Sequence, residues 1–193
     1  MLKSPLVADP LKLYDCCPFT DGGAALVLAS EEVARTHRRA VWVLGSAAAS
    51  DTMFMHDKRD LSRVTATERA AAGAYRQAGR GPQDVDVVEL HDCFTIAEIV
   101  ATEGLGLVEP GMGGPAAEKG WTSLGGKIPI NVSGGLKAKG HPIGATGAAQ
   151  IAEIVTQLRG EAGPRQVDGA RTGLTHTLGG NTATVLVSLF GRD

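Results

Sequence analysis

The chain has 193 residues, 43% hydrophobic and 21% charged, a balance that reads as one compact soluble domain with a short extension. Its 19 Lys and Arg stand against 21 Asp and Glu, so no basic surface points to a nucleic-acid partner. Three cysteines, two of them adjacent (Cys16 and Cys17), fit a reducing, cytoplasmic setting better than a disulfide framework, and no apolar run approaches the roughly 20 residues of a membrane span.

In chain order, residues 1–20 are irregular and punctuated by Pro5 and Pro10, which excludes a signal peptide. Gly23 to Ala29 is a short apolar run, expected as a buried strand, and Ser30 before Glu31 and Glu32 is expected to cap a helix. A second strand is expected over 40–48. Thr65 and Glu68 have the spacing of a capping box, and the helix after them lines up Ala70, Ala71, Ala74, Tyr75 and Ala78 before Gly79 ends it. Residues 85–90 read as a strand, 95–105 as a helix, 110–127 as irregular and 128–132 as a short strand. A helix over 145–159 is expected to turn Ala148, Ile151, Ala152, Val155 and Leu158 inward. Two closing strands, 173–177 and 182–190, flank a tight turn and suggest an antiparallel addition. Strands alternating with helices give an α/β class: a layered domain with a mixed central sheet and helices on its faces.

Many of the 26 glycines cluster in the last third, which suggests backbones that must turn tightly or come close to something. Residues 131–147, Asn-Val-Ser-Gly-Gly-Leu-Lys-Ala-Lys-Gly-His-Pro-Ile-Gly-Ala-Thr-Gly, leave a strand, present His141 and open a helix of small residues. Pro142 restricts the backbone beside His141. Neither phosphate-loop nor dinucleotide spacing is met. Taken alone, His141 is also what an ordinary turn histidine looks like. Glu89-Leu-His91-Asp92-Cys93-Phe94 adds three polar groups at a strand end, where α/β folds gather ligands. Asp92 could equally be a helix cap and Cys93 a small buried hydrophobe.

The 131–147 stretch closely resembles the C-terminal signature of thiolases, through Asn131, Gly134, Gly135, Gly140, His141, Pro142, Gly144 and Gly147. His91-Asp-Cys-Phe resembles the sterol-carrier-protein-type thiolase and acetyl-CoA acetyltransferase branch, and 15–23 resembles the segment leading into the second half of such enzymes. The resemblance implies a lead-in over 1–38, ending the first half, and a thiolase C-terminal domain over 39–193. It implies an enzyme that makes or breaks the carbon–carbon bond of 3-ketoacyl-CoA. Coenzyme A enters as substrate or product, and no cofactor is bound covalently. His141 would activate the nucleophile and, with His91, form an oxyanion hole. Cys93 would be the acid/base, its thiol acidified by a helix start or an imidazolium. His176 stands where many thiolases carry an acid/base cysteine, and is expected either to take part or to fill a turn.

The family's nucleophilic cysteine belongs to the first half, so the expected partners are an acyl-CoA, a thiolase N-terminal half in the same or a separate chain, and further copies of the chain. No membrane or nucleic-acid partner is expected. Steroid-side-chain CoA retro-aldol cleavage and a non-catalytic CoA-ester-binding scaffold are the competing readings. Lys137 and Lys139 invite comparison with phosphate ligands, although lysines beside a glycine loop are usually only solvated.

Overall fold

The computed structural model describes residues 3–192; Met1, Leu2 and Asp193, the outer ends of the two expected segments, lie outside the described residues. The first strands, β1 (Leu6–Ala8) and β2 (Leu11–Lys12), form a small antiparallel hairpin where the sequence suggests irregular chain. The central sheet has four strands, β3 (Trp42–Ser50), β4 (Val87–Leu90), β5 (Thr172–Gly179) and β6 (Thr184–Gly191). Their order is β3-β6-β5-β4: β6 is antiparallel to both neighbours, and β5 and β4 run parallel. The sheet is mixed, as expected.

Alternation along the strands sorts the core into two layers. Val88, Leu90, Leu174, Val185, Val187 and Leu189 face one way, toward Ala66, Ala70, Ala71 and Ala74 of helix α2 (Thr65–Ala78) and Ala101 of α3 (Thr95–Gly104). Val87 and Phe190 face the other way, against Ile154 and Leu158 of α6 (Thr146–Leu158). The fold is therefore helix, sheet, helix, with the alanine stripe of α2 lying where its spacing predicts.

Strand β4 would be an open edge, with unpaired backbone groups inviting association. It is covered instead: Val88 N–H donates to Pro129 O at 3.0 Å, and Asn131 N–H donates to Val88 O at 2.8 Å. This is all that forms of the strand expected over 128–132, a single parallel bridge between Val88 and Ile130. Pro129 has no N–H to give, and Asn131 turns left-handed with φ 53°.

Other expectations shift. The run 23–29 pairs with no strand among the described residues, and Val27 and Leu28 stand 97% and 84% exposed. Its hydrophobicity asks for a neighbour that the other described residues do not supply. Ser30 does cap, accepting from Val33 N–H, but α1 is only Glu31–Ala34. The capping box at Thr65 does not form, because the helix starts at Thr65 itself and Glu68 is taken by Arg63 at 2.8 Å. Residues 110–127 hold a short helix, α4 (Gly113–Glu118), and the glycine loop holds another, α5 (Gly135–Ala138). On α6 the buried line is Thr146, Gln150, Ile154, Gln157 and Leu158, so the inward face is rotated from the expected one. The glutamines are buried because backbone and side-chain partners await them: Gln150 donates to His176 O at 3.2 Å and Gln157 to Arg165 O at 2.8 Å.

Candidate active site

Parallel pairing of β4 with β5 sets Leu90 opposite His176, and the chain leaves the sheet at His91. Asn131 fixes that exit. Its Oδ1 accepts Leu90 N–H at 2.8 Å while its Nδ2 donates to Glu98 Oε2 on α3 at 3.2 Å. Glu89, fully buried in an apolar strand, accepts Ser133 N–H at 3.0 Å and the Ser133 hydroxyl at 2.6 Å. The strand and the glycine loop are thus tied together at the two residues before His91.

Asp92 ties them a third time, and it does so across the loop and not as the N-cap of the helix that follows it, a position held by Phe94. Its Oδ1 accepts Leu136 N–H at 2.9 Å, and Gly135 sits against it so closely that a Cβ there would lie 2.2 Å from Oδ2. Gly135 also has φ 56°, so both the space and the backbone require glycine. At Gly140 (φ 89°) the Thr20 side chain fills the place a Cβ would take. Gly134 shares this left-handed backbone (φ 96°), whereas Gly144 meets nothing and Gly147 makes only ordinary contact with Thr177.

These ties bring His91 and His141 together. Their rings meet edge to face with centroids 4.9 Å apart, and both are almost fully buried. Burial pushes His91 down to about 4, with His141 adding to the effect, so its ring is neutral at pH 7. Its Nδ1 has no hydrogen-bond partner among the described residues. His141 is also held below the usual histidine range by burial, against an opposing pull from Asp92.

The tautomer of His141 follows from one hydroxyl. Thr146 Oγ1 lies 2.7 Å from His141 Nδ1 and donates to Pro142 O at 3.1 Å. A hydroxyl has one proton; with it on the carbonyl, Thr146 accepts from Nδ1, and this assignment puts the ring proton there. Nε2 is then the bare nitrogen, able to accept a proton and, once charged, to donate to an oxyanion. Sequence reasoning missed Thr146; the visible signal was a hydroxyl opening a helix five residues after the histidine.

Cys93 is half-buried two residues beyond His91. The acidification expected for it does not occur: burial pushes its thiol up, Cys17 and Asp92 push the same way, and Phe94 N–H offsets them only in part. His176 lies inside β5 rather than at a strand end, because the ladder with β6 continues to Gly179. It is fully buried, its Nε2 3.0 Å from Thr67 Oγ1 on α2, and burial brings it down to about 3 with His91 as a further cause. It therefore stands behind His91, not in the cleft. The two lysines are engaged and not simply solvated: Lys137 donates to Cys16 O, and Lys139 lies 3.5 Å from Glu89 Oε2.

The lead-in segment crosses this site. Cys17 N–H donates to Cys93 O at 2.9 Å, His141 N–H donates to Pro18 O at 3.2 Å, and the Phe19 ring stacks 6.2 Å from that of His141. Among the described residues no group of three or more His, Cys, Asp or Glu could hold a metal ion, and no helix is long and apolar enough to cross a membrane.

A family model described as thiolase C-terminal domain-like matches residues 47–192. The chain belongs to that family. It is 53% identical over its whole length to the acetyl-CoA acetyltransferase of Methanothermobacter thermautotrophicus (strain Delta H), covering 50% of that protein. Against the sterol carrier protein 2 of Rattus norvegicus it is 43% identical over 99% of its length, covering 36% of that protein. The thiolase chain thus spans half or less of the curated relatives named here. A solved structure titled Ltp2-ChsH2(DUF35) aldolase superposes with a TM-score of 0.85 at 24% identity, over 99% of this chain and 50% of the other, and shares the fold.

Proposed function

We propose that this chain supplies the oxyanion-binding and acid/base half of a thiolase-type acyl-CoA acyltransferase site, and that a thiolase N-terminal half supplies the nucleophilic cysteine. The observation that carries the reading is the His91–His141 pair, with ring centroids 4.9 Å apart at the seam of two loops and Cys93 two residues beyond His91. The unpaired apolar run at Leu26, Val27 and Leu28 supports a partner that covers it.

In the cleavage direction, the partner cysteine adds to the ketone carbon of a 3-ketoacyl-CoA as His141 Nε2 takes its proton. The bond between the ketone carbon and the α-carbon then breaks, and its electron pair becomes the enolate of a thioester. Neutral His91 donates a hydrogen bond to that enolate oxygen without surrendering its proton, as a ring held near 4 in its charged form can do. Cys93 returns a proton to the α-carbon. A thiol kept protonated by burial suits this step, because it must act first as an acid. The thiol of an incoming coenzyme A then gives its proton to the Cys93 thiolate and takes the acyl group, and the released partner cysteine recovers its proton from His141.

The test is reconstitution. Mixing the chain with a matching thiolase N-terminal half should give acetoacetyl-CoA thiolysis, read as loss of absorbance of the substrate enolate. Cys93→Ala should lower kcat by about 10²–10⁴-fold, the usual worth of a general acid. Full activity in that variant would remove Cys93 from the mechanism, and turnover by the chain alone would remove the need for a partner.

A further inference from the structure

Residues 15–18 run antiparallel to the residues that follow His91. Cys16 forms an antiparallel bridge with Phe94, and Cys17 N–H donates to Cys93 O at 2.9 Å. A bridge between positions 16 and 94 places 17 directly opposite 93, and directly opposed side chains leave an antiparallel ladder on the same face. Such residues have Cα atoms about 4.5–5.5 Å apart, within the roughly 4.4–6.8 Å that a disulfide spans. Cys16, one residue earlier, projects to the other face, its Sγ 3.8 Å from Lys12 O. All three thiols are free, and each is half-buried, so a small oxidant can reach them.

We propose that Cys17 and Cys93 form a dithiol modification site, oxidised by a peroxide to a disulfide that fastens the lead-in segment across the cleft. The chemistry balances with a peroxide alone. One sulfur attacks the O–O bond and keeps one oxygen as a sulfenic acid, while the other oxygen leaves as water. The opposed thiol sulfur then displaces the second water and closes the S–S bond. Two thiols lose two hydrogens, and hydrogen peroxide becomes two waters. A reducing dithiol reverses the bond by exchange.

Proximity, not acidity, makes this pair. Burial raises both thiols; Asp92 and Cys16 press further on Cys17, and Cys17 and Asp92 on Cys93. Lys137, on the Cys17 side, and the Phe94 N–H, on the Cys93 side, pull the other way. The first oxidation step therefore starts from a small thiolate fraction at neutral pH, and the second is aided by a neighbour already in place. The consequence for catalysis rests on the acid/base reading of Cys93, because the disulfide removes that thiol. The bond itself does not depend on that reading.

The experiment is peptide mapping of the 193-residue chain after hydrogen peroxide, with free thiols alkylated before digestion. One cross-link, Cys17 to Cys93, is expected, with Cys16 alkylated and the link lost on adding dithiothreitol. Cys17→Ser should abolish the cross-link, and Cys16→Ser should leave its yield within about twofold. A link through Cys16 would overturn the assignment. So would Cys93 advancing to sulfinic acid beside a free Cys17, or peroxide leaving both thiols reduced. Mapping judges the dithiol pair, and Cys93→Ala thiolysis judges the role of Cys93, so either can fail alone.

Discussion

Replacing Thr146 with valine removes the hydroxyl that holds the proton of His141 on Nδ1 and changes little else in shape. The bond is 2.7 Å long and buried, and the hydroxyl is locked to Pro142 O at 3.1 Å, so the acceptor cannot turn into a donor without giving up the carbonyl. A buried donor left without a partner costs about 1–3 kcal/mol. That cost falls on the Nδ1–H tautomer alone, so the tautomer ratio should move toward Nε2–H by about 5- to 150-fold. The same hydroxyl oxygen also accepts from the charged ring. Losing it should therefore move the His141 pKa further below the histidine range, in the direction burial already sets. Long-range proton–nitrogen correlation spectra of the histidine-labelled chain read both quantities without any partner half. Wild type and Thr146→Ser should show a protonated Nδ1 and a bare Nε2. A wild-type spectrum with the proton on Nε2, or a valine variant indistinguishable from wild type, would refute the assignment of His141 as a base.

Two further outcomes follow from the ties around His91. Glu98 is pushed up to about 7 from 4.5, chiefly by burial and next by Asp92, so the fold favours its protonated form. The sign is fixed by linkage: its contribution is full below the unfolded value near 4.5 and is lost as pH rises through 7. Glu98→Gln should therefore gain stability relative to wild type between pH 5 and pH 8, by up to about 3 kcal/mol, in urea unfolding at the two pH values; an equal difference at both would show an unshifted carboxyl. Gly135→Ala sets a Cβ 2.2 Å from Asp92 Oδ2 at φ 56°. It should cost about 1–3 kcal/mol from the left-handed backbone alone, read as a lowered midpoint in thermal unfolding, with unchanged stability counting against the close packing.

Much of this site was legible from residue types. The His91-Asp-Cys-Phe94 tetrad sits at a strand end because Val87, Val88 and Leu90 make a buried strand that any apolar run of this kind predicts. The alanine stripe of α2 is visible in its period, because tight packing on a sheet selects small residues at those positions. What stayed hidden depends on partners far apart in the chain. Asn131 reaches back 41 residues to Leu90, and Gln150 crosses 26 to His176, so nothing local marks them. The face of α6 was misread for this reason: hydrophobicity ranks Ala148 and Val155 above Gln150 and Gln157, but the glutamines find carbonyls inside. Glu89 carried a usable warning, since a carboxylate within an apolar strand must be paired or left out of the core. The run 23–29 is apolar as its residues imply, yet exposed, because its cover is not among the described residues.

The lead-in segment also bears on where this domain may be cut. The family match begins at residue 47, past the residues whose backbone bonds to Cys93 and His141. A chain trimmed to that boundary keeps His91, Cys93 and His141 but loses Cys17. It loses the segment laid over them, opening two nearly buried imidazoles to water and letting both drift back toward ordinary histidine acidity. Because the boundary falls inside β3, such a trimmed chain would also lose residues 42–46 of that strand and their pairing with β6, and it would titrate as a different site.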